Sequence, residues 1–255
     1  MGTALAKATS LIENTELYIY DKDVEKAAAL AKEIGAVSTT NEEIAKICSF
    51  IFMAVKPNII KAAAGEISDV LAARSNYTVV SMAAGVSIAS LEEAFPKSPI
   101  IRIMPNTPAS IGRGMTLFCK NGKVDDAMSE EFVRIMAKSG EIDEIPEKLI
   151  DATSAVSGCG PAFVYMFIEA LADGGVECGL PRDKALAYAA ETLIGAAEML
   201  KASGKHPGEL KDAVCSPGGS TIAGVHALEA GAFRATAQGA VVAAYKKTLT
   251  LGKND

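Results

Sequence analysis

Apolar residues in the first half of the chain gather into short, nearly unbroken runs. SFIFMAV (49–55), YTVVSMAA (77–84) and PIIRIM (99–104) read as strands buried on both faces. LYIY (17–20), MTLFCK (115–120) and the closing GEIDEIP are further strand candidates. Between them the apolar spacing turns helical. DVEKAAALAKEIG (23–35) stops at Gly35, NIIKAAAGEISDVLAA follows the second long run, and SIASLEEAF (87–95) has Ser87 as a plausible N-cap. DDAMSEEFVRIMAKSG (125–140) opens with acids and carries Lys138 near its end, as the helix dipole favours. This alternation predicts an α/β fold with a doubly wound parallel sheet.

From Leu149 onward the strand pattern vanishes. Ala-rich helical segments at about 150–178, 181–203, 207–215, 220–231 and 233–251 are separated by SGCGPA, GLPRD, KHPGEL and SPGGST. The expected organisation is two domains, residues 1–148 and an all-helical 149–255, with no internal repeat and no low-complexity linker. FVYMFIEALADGGV carries only Glu169 and Asp173 as charges, and helices apolar all round are buried. An obligate dimer through the helical half is therefore expected.

Composition narrows the function. Of 255 residues, 49% are hydrophobic and 22% charged, enough for two real cores; the net charge of −6 and the lack of a basic cluster exclude nucleic acid as a partner. The uncharged stretches 75–91 and 152–168 are interrupted by Gly and Ser and are short for a span, so no membrane is expected. No signal peptide is legible at the start, and the expected location is the cytoplasm. Cys48, Cys119, Cys159, Cys178 and Cys215 are scattered and read as reduced buried thiols. His206 and His226 join no ligand cluster, so no metal is expected.

Three irregular turns follow successive strands: AVKPN (54–58), MAAGVS (82–87) and MPNTPA (104–109). Ligands of open α/β sheets bind outside the carboxyl ends of the strands, so three such turns in a row point to a cofactor crevice. Asp21 stands at the end of LYIY, where an acid commonly accepts the ribose 2′-hydroxyl of NAD; capping the helix at 23–35 is its other reading. In SPGGSTIAG (216–224), two glycines precede Ser220 and Thr221 at a helix start, which gathers free N–H groups into a site for a carboxylate.

The motifs AVKP, AAGVS, MPNTPA, VSGCGPAF, ALADGGVECGLPR and HPGELKDAVCSPGGST, with GAFR after them, resemble the pyrroline-5-carboxylate reductase family in order and spacing along almost the whole chain. Cys159 and Phe163 are mild departures, at places where Ser and Tyr are usual. The resemblance implies NAD(P)H-dependent reduction of 1-pyrroline-5-carboxylate to L-proline, a Rossmann-like domain, and a helical domain that forms homodimers, often a ring of five dimers. Carried over, Ala54, Val55, Lys56 and Pro57, with Ala83, Ala84 and Gly85, line the nicotinamide and its ribose, and Asn41 meets the adenosine part. Gly219, Ser220 and Thr221 hold the substrate, with Thr221 toward the ring nitrogen as the catalytic hydroxyl. Family members open with a strand and G-x-G-x-M-G, of which Met1 and Gly2 match the last two positions. The implied consequence is a sheet interrupted between the strands at 17–20 and 49–55. Lower stability and weaker dinucleotide binding than in a form extended upstream by about ten residues are also expected. Asp21 predicts use of NADH at least comparable to NADPH. The competing readings are a 3-hydroxyacid dehydrogenase of similar layout, disfavoured because no Lys occurs between Lys148 and Lys184, and a non-catalytic dimeric relative.

Overall fold

Helices and short strands alternate as the pattern predicts. The computed structural model describes residues 1–251. Its first half contains α1 (Gly2–Thr9), β1 (Tyr18–Ile19), α2 (Val24–Ile34), β2 (Val37–Ser38), α3 (Asn41–Ile47), β3 (Phe50–Met53), α4 (Ile60–Ala72), β4 (Thr78–Ser81) and α5 (Ile88–Ala94). After these come β5 (Ile100–Met104), β6 (Gly114–Lys120), α6 (Asp126–Met136), β7 (Gly140–Glu144) and α7 (Glu147–Ser157). Local chemistry sets the ends. Asp23 caps α2 by accepting from the Lys26 amide at 3.0 Å, and Gly35 ends it at φ +70°. Ser87 caps α5 through the Ser90 amide at 3.1 Å, as expected. Helix α3 and strand β2 were not foreseen. The strand is two residues long, but α3 carried a legible signal in Thr40, whose hydroxyl accepts from the Glu43 amide at 3.2 Å.

Strands β1 and β2 form a parallel pair of their own, and β3-β4-β5-β6-β7 form the main sheet. The interruption therefore falls between β1 and β3, where the resemblance places it. The main sheet departs from the expected all-parallel form at one pair, because β6 runs antiparallel to β5. Only residues 105–113 connect them, and a parallel crossover needs a dozen or more. Alternating side chains fill both faces. Val79 and Ile100 pack with Ile67, Leu71, Leu91 and Phe95 on one side; Val80 and Ile101 pack with Leu5, Phe118, Phe132 and Met136 on the other.

Two compact units result: Met1–Cys159 with the segment from Ala243 onward, and Gly160–Val242. The helix expected at 150–178 is two helices, since Gly158 and Cys159 separate α7 from α8 (Gly160–Glu177). In the first unit, Ile150 of α7 packs against Ile88, Met104, Leu117 and Cys119. The second unit holds α8, α9 (Arg182–Ser203), α10 (Pro207–Ala213), α11 (Ser220–Ala230) and the first part of α12 (Phe233–Leu251). Its buried apolar residues are three alanines, Ala172, Ala185 and Ala189, while Tyr165, Met166, Tyr188 and Met199 are more than half exposed. The stretch Glu147–Glu177 is long and apolar enough by composition to cross a membrane. Its first part, α7, is however held on the sheet by ion pairs to a buried arginine.

Candidate active site

Strands β3, β4 and β5 are parallel, with Met53 beside Ser81 and Ser81 beside Arg102. The turns that leave them therefore emerge along one edge. After β3, Ala54, Lys56 and Pro57 are exposed, Val55 packs on the core, and Lys56 leads extended into a short 3-10 turn at Pro57–Ile59. After β4, Ala83 is buried, and the Val86 amide donates back to its carbonyl at 3.3 Å. Gly85 sits at φ +78° in that turn, the left-handed value a type II turn requires at its third position. After β5, buried Asn106 accepts from the Met115 amide at 2.9 Å and donates to the Ser157 carbonyl at 2.9 Å, fixing the end of α7.

Helix α1 begins at the same edge. A Cβ on Gly2 would lie 2.7 Å from the Ala54 Cβ, so only glycine allows this approach. No side chain caps α1, and its first-turn N–H groups are free to hold a pyrophosphate. Gly2, Ala54–Pro57 and Ala83–Gly85 are thus brought together. Asp21 follows β1. It does not cap α2; Asp23 does. Its carboxylate accepts from the Asp23 amide at 3.1 Å and from Lys26 Nζ at 3.0 Å, and these bonds, the amide first, hold its carboxyl below the usual range. Asn41 opens α3 and donates to Glu66 at 2.7 Å.

In the second unit, Gly218 takes φ +68° and Gly219 is the residue before α11. A Cβ on Gly219 would collide with the Ser216 side chain. No side chain caps α11, and Ser220 and Thr221 are exposed in its first turn, so backbone and hydroxyl donors face outward together.

One group was not singled out by the sequence reading. Arg102 of β5 is 4% exposed and reaches Glu147 at 3.1 Å and Asp151 at 2.7 Å. The available signal was a charge inside the apolar run PIIRIM, with two acids one helical turn apart on a later helix.

Residues 147–251 match the family model for pyrroline-5-carboxylate reductase dimerisation, and residues 1–85 the model for NADP oxidoreductase, coenzyme F420-dependent. The pyrroline-5-carboxylate reductase of Arabidopsis thaliana is 43% identical over 218 residues, covering 86% of this chain and 78% of that protein. The Escherichia coli (strain K12) enzyme is 40% identical over 241 residues, 94% of this chain and 89% of its own. Among solved structures, the Plasmodium falciparum pyrroline carboxylate reductase with NADP bound has a TM-score of 0.85 at 35% identity, covering 99% of this chain and 94% of that one.

Proposed function

Because the chain belongs to the pyrroline-5-carboxylate reductase family, we propose that it reduces 1-pyrroline-5-carboxylate to L-proline with NADPH, the last step of proline biosynthesis. The observation that carries this reading is the reach of the similarity: the reductase solved with NADP aligns to 99% of this chain, through both units. We assign dinucleotide binding to residues 1–148 and substrate binding and dimerisation to residues 149–255.

The residues present suit the cofactor. The uncapped start of α1 offers donors for the pyrophosphate, and Gly2 admits close backbone approach. Ala54–Pro57 and Ala83–Gly85 line the nicotinamide and its ribose, the alanines and Gly85 leaving room for close approach, and Asn41 serves the adenosine part. Lys26 already neutralises Asp21, and Lys22 is adjacent in sequence, which offsets repulsion of a 2′-phosphate and supports NADPH alongside NADH. When bound, the reduced nicotinamide supplies the hydride. The chain's own task is placement. The first-turn N–H groups of α11, with Gly219 and Ser220, hold the substrate carboxylate. The Thr221 hydroxyl bonds the ring nitrogen and keeps the imine protonated, which makes its carbon more electrophilic.

The family's dimerisation segment makes the protein a homo-oligomer, and we propose a homodimer as its unit, assembled as a ring of five. Its five free cysteines suit a reducing compartment, and we place it in the cytoplasm. The test is oxidation of NADPH followed spectrophotometrically with 1-pyrroline-5-carboxylate, with L-proline identified as product. No substrate-dependent oxidation by the purified oligomer would reject the reading.

A further inference from the structure

We propose that Glu147 is a positioning residue for the reduction: its carboxylate fixes the exit of the Ala83–Ser87 turn by accepting the Ile88 amide. This rests on the reading above that Ala83–Gly85 line the nicotinamide. Ala83 and Val86 pack on the core and Ala84 packs against the cluster of Ile88 and Ile150, but the turn's own polar ties are few. Its centre is a glycine in the left-handed region, the Val86 amide donates to the Ala83 carbonyl, and the Ala83 amide reaches Ser81 Oγ only at 3.4 Å. Ser87 spends its side chain on the Ser90 amide. That leaves the Ile88 amide, in the first turn of α5, without a helical acceptor.

Glu147 Oε1 supplies the acceptor at 2.7 Å, from a residue 59 positions away on α7. The same oxygen accepts from Arg102 Nη1 at 3.1 Å, while Arg102 Nη2 bonds Asp151 at 2.7 Å. Arg102 is buried on β5 and pairs in register with Ser81, the last residue of β4. Both ends of the turn are thereby referred to one buried guanidinium, the entry through the β4–β5 ladder and the exit through Glu147. A negative group at the start of α5 also suits its dipole. Displacement of a cofactor-facing turn by about 1 Å costs on the order of 100-fold in rate.

The experiment compares wild type with Glu147→Ala, Glu147→Gln and Glu147→Asp in the assembled protein. Glu147→Ala is expected to raise KM for NADPH and lower kcat, with kcat/KM for NADPH down roughly 10- to 100-fold and KM for 1-pyrroline-5-carboxylate within about twofold. Glu147→Gln keeps an acceptor for the Ile88 amide and is expected to recover most of that loss. Hydrogen exchange across residues 83–88 is expected to quicken in Glu147→Ala and to stay slow in Glu147→Gln. Should Glu147→Ala fail to fold, Glu147→Asp, with a shorter carboxylate, is expected to show the same shift to a smaller degree. The inference is overturned if Glu147→Ala, or Glu147→Asp in its place, merely melts lower while keeping its NADPH kinetics, or if Glu147→Gln fails as badly as Glu147→Ala. A wild type without reductase activity would instead defeat the functional reading, and the exchange measurement would still judge the anchoring of the turn.

Discussion

Ala232 joins α11 to α12 at φ +55°, a conformation that costs an L-residue with a Cβ about 1–2 kcal/mol. Glycine removes that strain but has more freedom to lose on folding, by about 0.5–1 kcal/mol. Ala232→Gly is therefore expected to stabilise the protein by about 0.5–1 kcal/mol, read from denaturant midpoints. Burial pushes the Cys119 thiol up to about 11, with Glu147 adding to the rise and Arg102 opposing it. Its contribution to stability is full below the ordinary value of 9.0 and is lost as pH rises toward 11, because the unfolded chain ionises first. The wild type is thus expected to lose more stability between pH 9 and pH 11 than Cys119→Ala, checked by urea unfolding of both at several pH values. Thr221 stands exposed in the first turn of α11. Thr221→Ala is expected to lower turnover of 1-pyrroline-5-carboxylate by about 1.5–3 kcal/mol with NADPH affinity unchanged; unaltered steady-state kinetics would remove the hydroxyl from the chemistry. Individual residues were legible where their chemistry is local. Ser87 announces its cap within three positions. Arg102 is different, since its partners lie 45 and 49 residues downstream and only the fold brings them together.

At the scale of elements, periodicity located the apolar runs and long helices but not how neighbours are oriented. The antiparallel β5–β6 pair was hidden because both strands read as equally buried; the decisive quantity was the length of their connection. The break between α7 and α8 was hidden for the opposite reason. Gly158 and Cys159 interrupt a composition that continues unchanged on either side. The start of β7 depends on one close contact. Gly140 lies at φ +128°, and a Cβ there would overlap the backbone of Gly114 where β6 begins. Gly140→Ala combines backbone strain with a clash that no side-chain rotation relieves, so a loss of about 3 kcal/mol or more is expected in equilibrium unfolding. A midpoint within error of wild type would mean that the β6–β7 pair opens easily.

For the whole molecule, the two classes of segment were legible from where strand periodicity stops. Residues such as Ala83 and Thr221 are ordinary by type, and only the motifs around them, AAGVS and SPGGST, drew attention to them. The second unit has a further consequence. Its fully buried apolar side chains are three alanines, backed by half-buried Ile168 and Val176, while Tyr165, Met166, Tyr188 and Met199 lie exposed in a single chain. Residues 147–251 match the family's dimerisation segment, so this surface is expected to be covered by another copy, and folding of the region then obeys mass action. For the proposed dimer, each tenfold rise in protein concentration should add about 1.4 kcal/mol of stability per mole of assembly, and dilution should withdraw it. The melting temperature is accordingly expected to climb steadily from about 1 to about 100 μM protein, with no folded monomer in light scattering at any point. A melting temperature indifferent to dilution would mean that each chain closes its helices by itself.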